Sequence, residues 1–284
     1  MDWLIIQSAG KHRGDDGWCR NDYLREGLAI RSELISMGHI CHIWGMGYDG
    51  YDTVPDFNSY DVILVAEQYE FEWVPDLSKY TRPVKVQWVV DLHYHSKYGC
   101  ITPMCNIVLH ATRGYMGGYS KLFSGQKHIW WPNSVDRFHF HPHHLTRDIP
   151  CCFVGKVSGS AKKRGAFVKK LGIPSFFRTG SEMINTISRT MIHFNHSIGS
   201  DINYRCFETI GLGTCLLTNR VPDMDKLGFV SGENCLLFDG ISGCRALLKK
   251  NLDGGWGEIA KNGVKLAESN TYGVRLKELI NNVL

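Results

Sequence analysis

Short apolar runs alternate with longer, mixed segments along the first half of the chain. Each run has the length of a buried strand and is bounded by polar or turn-forming residues. After the first run, leucine and isoleucine recur at helical spacing in a segment that begins after Asn21 or Asp22 and ends at Gly38. The runs predict six strands, at residues 3–8, 39–44, 61–66, 83–90, 106–110 and 128–131. Strands that alternate with helices and loops predict a parallel α/β sheet.

The same alternation returns after residue 148. Apolar runs predict five more strands, at residues 149–154, 173–178, 192–195, 213–218 and 232–238. Helical spacing predicts helices at residues 162–171, 203–212, 256–268 and 272–283, and a partly helical segment at 179–190. A chain of 284 residues can hold one large α/β domain or two small ones. Because ligands of parallel α/β sheets bind at the carboxyl ends of the strands, the loops after these strands are the candidates for function.

Composition narrows the class of protein only modestly. A hydrophobic content of 43% with 21% charged residues predicts a folded chain with a core. We expect a cytoplasmic protein without a membrane span, because no 18-residue apolar stretch occurs and Met1 leads straight into a strand. A net charge of +4 permits a polyanionic acceptor or a membrane surface without requiring either. The ten cysteines form no C-x-x-C pair, so we interpret them as small buried hydrophobes.

Residues 203–212 combine helical spacing with phosphate-friendly chemistry. Ser200 or Asp201 can cap the helix, and the unpaired N–H groups of a helix N-terminus suit a phosphate. Arg205 and Glu208 are three residues apart and therefore share a face. Arginine offers a fork to phosphate oxygens, and glutamate can accept from both ribose hydroxyls. The alternative is an ordinary surface ion pair, which the spacing by itself favours.

Two motifs resemble the group 1 (family 4-like) retaining glycosyltransferases of the GT-B fold. The first is Asn203-x-Arg205-x-Phe207-Glu208, followed by Gly211-x-Gly213 and an apolar strand. The second is Pro132-Asn133-x-Val135-Asp136 followed by Phe138, which in that family marks the passage between domains. The resemblance implies two Rossmann-like domains with a cleft between them. We expect an acceptor-binding domain at 1–136 and a nucleotide-sugar-binding domain at 137–284, with the last helix packed back on the first domain.

The resemblance also implies which residues bind the donor. In the family the strand that opens the second domain ends in glycine, and a following basic residue reaches the donor diphosphate. We assign this role to Lys156 and Arg164, with Lys162 and Lys163 as competitors, and the ribose to Glu208. The full set of expected donor-binding residues is Gly155, Lys156, Arg164, Ser200, Asp201, Asn203, Arg205 and Glu208.

One departure from the family pattern concerns an earlier glutamate, eight residues before the ribose-binding one. Ser200 stands at that position, with Asp201 beside it. This indicates a short, divergent subgroup similar to the spore-coat-type and phage glycosyltransferases.

The acceptor side is expected in the first domain. In GT-B proteins the loop after the first strand faces the acceptor and the donor sugar, which implies roles here for Gly10, Arg13, Asp15 and Asp16. After the fourth strand we assign Asp91 and His93 to catalysis and His95 to the acceptor. The H-x-H pattern beside Asp91 also fits a metal site, which ranks lower because group 1 enzymes work without a metal. The histidine-rich segment at 139–144 is interpreted as an exposed linker, with metal binding as the weaker alternative.

The sequence therefore predicts transfer of a sugar from a nucleotide-diphosphate sugar to an acceptor hydroxyl. Retention of configuration, no metal and no cofactor beyond the nucleotide-sugar co-substrate follow from the resemblance. The acceptor stays open among a glycan, a small molecule, a protein and a modified nucleic-acid base. Two alternatives remain: a sugar-nucleotide epimerase of the same fold, and a non-catalytic module that binds carbohydrate or nucleic acid through its eight Trp and twelve Tyr.

Overall fold

The chain folds into two compact units. The computed structural model describes residues 1–12, 18–20, 26–68, 70–90, 92, 97–199 and 201–284. The first unit comprises Met1–Pro132 with Tyr272–Leu284, and the second comprises Asn133–Thr271. The units therefore divide four residues before the predicted boundary. The cause is local bonding, since the Asn133 side chain donates to the Ile202 carbonyl (3.1 Å) and the Val135 N–H donates to the Asn270 carbonyl (2.8 Å).

Helices and strands follow each other in the order expected for two α/β units. The first unit contains β1 (Asp2–Ile6), β2 (Gly10–His12), β3 (Trp18–Arg20), α1 (Glu26–Ser36), β4 (Ile40–Trp44), β5 (Val62–Val65), β6 (Val84–Val89), β7 (Ile107–His110), α2 (Arg113–Leu122) and β8 (Lys127–Trp130). The second contains β9 (Ile149–Val154), α3 (Lys162–Leu171), β10 (Ser175–Phe176), α4 (Gly180–Ser188), β11 (Thr190–Phe194), α5 (Tyr204–Gly211), β12 (Cys215–Asn219), β13 (Leu236–Phe238), α6 (Gly240–Leu252) and α7 (Trp256–Glu268). The last helix, α8 (Tyr272–Asn282), returns to the first unit.

The first unit is built on a six-stranded parallel sheet with the order β4-β1-β5-β6-β7-β8. β5 is buried along its whole length and runs between β1 and β6, which explains its uninterrupted apolar sequence. α8 packs on α1, and the Trp131 indole N–H donates to the Arg275 carbonyl of α8 (3.3 Å). Between β1 and α1 the structure has a short antiparallel hairpin, β2–β3, where the sequence predicted a loop at 9–17. Strands of three residues are too short to show an alternation of polar and apolar positions.

The second unit is built on a five-stranded parallel sheet with the order β10-β9-β11-β12-β13. On one face of this sheet the rings of Phe167, Phe194 and Phe238 pack against one another in a hydrophobic core, with centroids 5.3–5.7 Å apart. Cys151 and Cys215 fill the same core, as predicted for small buried hydrophobes, and burial raises the pKa of the Cys215 thiol to about 12. Two parallel sheets flanked by helices confirm the predicted α/β, GT-B architecture.

No helix among the described residues is long and apolar enough to cross a membrane.

Candidate functional site

The strand order of the second sheet places a topological switch between β9 and β11. From β9 the chain goes to β10 on one side, then crosses back to β11 on the other. A crevice at such a switch, outside the carboxyl ends of the strands, is where ligands of this sheet class bind. The loops at 155–161 and 195–203 follow β9 and β11. Arg164 joins them, because its Nε–H donates to the carbonyl oxygen of His196 at 2.8 Å.

The loop after β9 opens with a glycine that the geometry requires. Gly155 has a φ of 154°, and a Cβ atom at this position would lie 2.9 Å from the ring of Phe153. The Arg164 guanidinium is 5.6 Å from the centroid of that same ring. Lys156 is exposed, as are the competing Lys162 and Lys163 at the start of α3. Three lysines and one ring-packed arginine thus lie along this loop and the helix that follows it.

The loop after β11 is fixed by buried amide groups that the sequence analysis did not single out. The Asn195 side-chain amide donates to Asn203 Oδ1 (3.2 Å) and to Thr218 Oγ1 (3.1 Å). The Ser197 N–H donates to Asn219 Oδ1 (2.7 Å), which ties the loop to the end of β12. The available signal was the position of Asn195, a polar residue directly after an apolar run. These bonds hold the residues that directly precede α5 and so fix the position at which the helix begins.

The start of α5 differs from the sequence prediction. Ser200 or Asp201 was expected as the cap, but the N-cap is Asn203, and its side chain bonds to Asn195 instead of capping the helix. Asp201 lies two residues before the N-cap and is half-buried, and Ser200 lies outside the described residues. The prediction was wrong because several consecutive residues have cap-forming side chains, and the tertiary contact to Asn195 decides among them.

Arg205 and Glu208 lie together on one face of α5, as their spacing predicted. Arg205 Nη1 is 2.6 Å from Glu208 Oε2, and the two side chains are 18% and 9% exposed. The pair is therefore largely buried, and the alternative of an exposed surface ion pair does not describe it. On the opposite side of the helix, Cys206, Phe207 and Ile210 are fully buried, as predicted.

A buried histidine lies behind this pair. His193 on β11 is fully buried, and its Nδ1 is 2.8 Å from Thr209 Oγ1. The Thr209 hydroxyl donates to the Arg205 carbonyl (2.6 Å), so it accepts from His193 Nδ1–H. Burial, and secondly the charge of Arg205, hold the pKa of His193 well below its usual value. The helix with the Arg–Glu pair is thus anchored to the sheet by a neutral imidazole.

Two open cavities lie beside the carboxyl ends of the strands in the second unit. One, of about 410 Å³, follows β10 and is lined by Arg178, Ser181, Glu182 and Asn185. The other, of about 520 Å³, follows β12 and β13, with Arg220 and Asp239 among its lining residues. Both are polar enough to receive a ligand with hydroxyl or phosphate groups.

In the first unit, most of the predicted acceptor and catalytic residues lie outside the part of the chain that the structure describes. Gly10 is in β2 and buried. The predicted residues that lie outside the described part of the chain are Arg13, Asp15, Asp16, Asp91, His93 and His95. At the switch between β1 and β5, a carboxylate that the sequence analysis missed is present. Glu67 is fully buried and accepts N–H bonds from Ser8 (2.7 Å) and Gln68 (2.9 Å). Its signal was an acidic residue directly after the apolar run at 61–66.

The described residues contain no cluster of three or more His, Cys, Asp or Glu side chains arranged to hold a metal ion. In the histidine-rich segment, His139 Nδ1 bonds to Asp136 Oδ2 (2.5 Å), and the rings of His141 and His143 lie with centroids 4.6 Å apart. His141, His143 and His144 are exposed, which agrees with the linker interpretation.

Comparison with known proteins shows which proteins this chain resembles. The model of the glycosyl transferase-like family matches residues 156–281, which include the Arg164 and Arg205–Glu208 positions. No match was found among curated protein sequences.

Several solved structures share the fold over nearly the whole chain. HepE from Anabaena in complex with UDP-glucose has a TM-score of 0.67 at 10% identity, covering 100% of this chain and 99% of that one. An α-glucosyltransferase in complex with UDP and DNA containing an HMU base has a TM-score of 0.66 at 10% identity, covering 98% of each chain. Sucrose-phosphate synthase from Thermosynechococcus elongatus has a TM-score of 0.65 at 10% identity, covering 100% and 99%. The shared fold consists of two Rossmann-like domains.

Proposed function

We propose that this chain is a group 1 glycosyltransferase of the GT-B fold that transfers a sugar from a UDP-sugar to an acceptor hydroxyl. The observation that carries the proposal is the buried Arg205–Glu208 pair in the first turns of α5, beside the switch of the second sheet. UDP is the proposed nucleotide because UDP or UDP-glucose is bound in HepE and in the α-glucosyltransferase.

The diphosphate is assigned to the first turns of α3 and α5. Arg164 bridges the two loops through the His196 carbonyl, so its position is fixed, whereas the lysines around it are exposed point charges. The N–H groups of Tyr204 and its neighbours at the start of α5 add partial positive charge. Positive charge held in place here stabilises the negative charge that develops on the leaving diphosphate.

The ribose is assigned to Glu208. Its Oε2 accepts a hydrogen bond from Arg205, and a carboxylate has capacity for further hydrogen bonds. Arg205 then has two tasks, to hold Glu208 in place and to add positive charge near the phosphates. Gly155 shapes the loop after β9, and Asn203 shapes the loop before α5. Ser200 and Asp201 are also proposed to contact the donor.

The finer features are also proposals. We infer retention of configuration, no metal requirement and no further cofactor, because Arg164, Arg205, Lys156 and the start of α5 can supply the charge that a metal supplies in other transferases. Asp91 and His93 are proposed as catalytic, and the loop that begins at Gly10 as the acceptor site. The acceptor classes to test are glycans, small molecules, proteins and nucleic-acid bases that carry a hydroxyl group. The last class is included because the α-glucosyltransferase binds HMU-containing DNA.

One experiment tests the proposal against its alternatives. The purified chain is incubated with UDP-glucose, UDP-galactose or UDP-N-acetylglucosamine, with and without pooled acceptors and with excess EDTA, and products are followed by NMR. Sugar transfer or donor hydrolysis that survives EDTA and is lost in Glu208→Ala supports the proposal. An inverted hydroxyl on an intact UDP-sugar would identify an epimerase instead. UDP-sugar binding without any turnover would identify a binding module.

A further inference from the structure

One surface of the second unit carries a charge that the composition of the whole chain conceals. The helices α3 and α6 pack side by side over the same core, to which Val168 and Cys244 contribute. Neither helix contains an acidic residue. Together they carry eight basic residues, which we call the basic face: Lys162, Lys163, Arg164, Lys169, Lys170, Arg245, Lys249 and Lys250.

The basic face makes the molecule strongly polarised. Its two helices carry +8, whereas the whole chain carries +4, so all remaining residues together carry −4. Part of this pattern has a structural cause, because cations in the last turn stabilise a helix through its dipole. Within each helix, that effect explains the lysines of the last turn, which are Lys169 and Lys170 on α3 and Lys249 and Lys250 on α6. It does not account for the lack of any carboxylate on the two helices, which leaves the repulsion between them uncompensated.

The lysines of this face are exposed, and no carboxylate in the described part of the chain pairs with them. All six lysines are exposed, and the ion pairs formed by the described residues include none of them. No large apolar side chain on either helix is strongly exposed. The face can therefore attract a polyanion through charge, and it has no apolar group to insert into one.

The two arginines of the face are already engaged, which bears on the kind of polyanion. Arg164 donates to the His196 carbonyl, and Arg245 donates to the Lys170 carbonyl, where it ties α6 to the end of α3. The remaining charge belongs to lysines, which act as point charges without the fork that reads phosphates and bases. The exposed side chains of the two helices include no aromatic ring on which a base could stack. A diffuse anionic surface fits these lysines better than a nucleic acid does.

We propose that the basic face of α3 and α6 docks the protein on membranes rich in anionic lipid. Each lysine near such a surface is attracted to it by charge, and a cluster of this size is sufficient for reversible, peripheral binding. The docking does not depend on which donor or acceptor the protein uses. Its consequence is a high concentration of the protein at the surface where a lipid-linked or membrane-associated acceptor would be found.

The test measures flotation of the purified chain with vesicles of phosphatidylcholine, alone or with about 30 mol% phosphatidylglycerol, an anionic content chosen to give a negative surface. Binding is expected only to the anionic vesicles, and it should be lost between about 0.05 M and about 0.5 M NaCl because screening shortens the range of the charges. A variant with four lysines changed to glutamine should partition at least about tenfold less. The changed positions are Lys169, Lys170, Lys249 and Lys250.

A matched control removes the same number of exposed lysines elsewhere, and it should bind anionic vesicles like the wild type. The control positions are Lys121, Lys127, Lys261 and Lys277. Thermal unfolding of both variants checks that the fold is intact. Three results would overturn the proposal: no binding of the wild type to anionic vesicles, an equal loss in the control, or tighter binding to DNA of equal charge that the four-lysine variant loses. The donor site is untouched in the variant, so a failure of flotation is independent of UDP-sugar turnover.

Discussion

Arg205 Nη1 and Glu208 Oε2 lie 2.6 Å apart in a pair whose side chains are almost withdrawn from water. A buried pair of this kind has a consequence for any mutational test, because removal of one partner leaves the charge of the other unpaired and costs stability. A loss of donor affinity in a single variant can then come from the missing contact or from a disturbed helix. The two causes are separated only when the ligand is changed as well.

The first prediction concerns the ribose. Glu208→Ala should lower UDP affinity by about 1.5–3 kcal/mol, the range for hydrogen bonds to a charged group, and Glu208→Gln should lower it less because one acceptor oxygen remains. The loss in Glu208→Ala should shrink with 2′,3′-dideoxy-UDP, whose ribose offers no hydroxyl donors. Isothermal titration calorimetry on both proteins and both ligands gives the coupling free energy of a double-mutant cycle.

Glu258→Ala is the control for this cycle, since Glu258 is an exposed acidic residue of α7. It should bind both ligands like the wild type. A coupling free energy of zero between Glu208→Ala and the dideoxy ligand would remove Glu208 from the ribose site, even if the variant binds UDP poorly.

The second prediction concerns the diphosphate. Arg164 is held by the His196 carbonyl at the switch between β9 and β11, so Arg164→Ala should lower the affinity for UDP by about 1.5–3 kcal/mol. Affinity for uridine, which lacks phosphates, should change by much less. Lys156→Ala should show the same pattern with a smaller loss, because an exposed lysine is less fixed. Lys169→Ala, at the far end of α3, is the matched control, and equal losses for UDP and uridine would assign Arg164 a purely structural role.

Much of the fold could be predicted from the apolar pattern. β9 and α3 have the predicted bounds because an apolar run and a basic, amphipathic helix meet there without ambiguity. α2 was missed, since three of its ten residues are glycine and none is buried, which leaves little apolar periodicity in the sequence. Local pattern fails where a helix depends on tertiary contacts for its stability.

The candidate site was predictable only where residues lie close in sequence. Arg205 and Glu208 belong to one helix, so their spacing predicted the contact. The bond of Arg164 to His196 and the bonds of Asn195 to Asn203 and Thr218 join different elements. Such contacts follow from the order of the strands, which the sequence pattern does not specify.

The third prediction concerns pH and a buried pair of histidines. His128 Nε2 is 2.7 Å from the Phe123 carbonyl, so it donates, and His128 Nδ1 then accepts from His110 Nε2–H at 2.8 Å. Burial, and secondly His128, lower the pKa of His110 to about 3. Between pH about 6.5 and 3 the unfolded chain binds a proton at this residue that the folded chain does not. The free energy of unfolding should therefore decrease as the pH is lowered through this window. The full stabilising contribution of His110 is present above pH about 6.5.

The contribution of His110 is about 1.4 kcal/mol for each pH unit in that window. Other buried histidines, such as His193, act with the same sign, so the measurement compares variants. Urea unfolding of His110→Gln should show a pH slope smaller by about one proton, whereas the exposed His141→Gln should keep the wild-type slope. An unchanged slope in His110→Gln would show that His110 titrates alike in both states.

The fourth prediction concerns Arg147, in the segment between the two sheets. Its guanidinium is half-buried and pairs with no carboxylate among the described residues. It donates instead to the Thr190 carbonyl (2.7 Å), the Gly213 carbonyl (2.5 Å) and the Thr214 hydroxyl. Through these bonds it holds the chain after α4 against the chain after α5. The bonds lie at the amino ends of β11 and β12, whereas the proposed donor site lies at the carboxyl ends of the strands. Burial lowers the pKa of Arg147, but the group stays charged at neutral pH.

Arg147→Ala should lower the free energy of unfolding by about 3–5 kcal/mol, since it leaves several buried acceptors without a donor, each worth about 1–3 kcal/mol. Arg147→Lys should cost less but remain destabilising, because one ammonium group cannot reach Thr190 and Gly213 at once. Arg189→Ala is the neighbouring control. The two side chains of its ion pair with Asp148 are 42% and 47% exposed, so the loss of this pair should cost much less than the loss of Arg147. Urea unfolding gives all three values, and UDP titration of Arg147→Lys should show unchanged affinity. If Arg189→Ala costs as much as Arg147→Ala, the carbonyl-binding role of Arg147 is wrong, because simple loss of a cation from this edge would explain both.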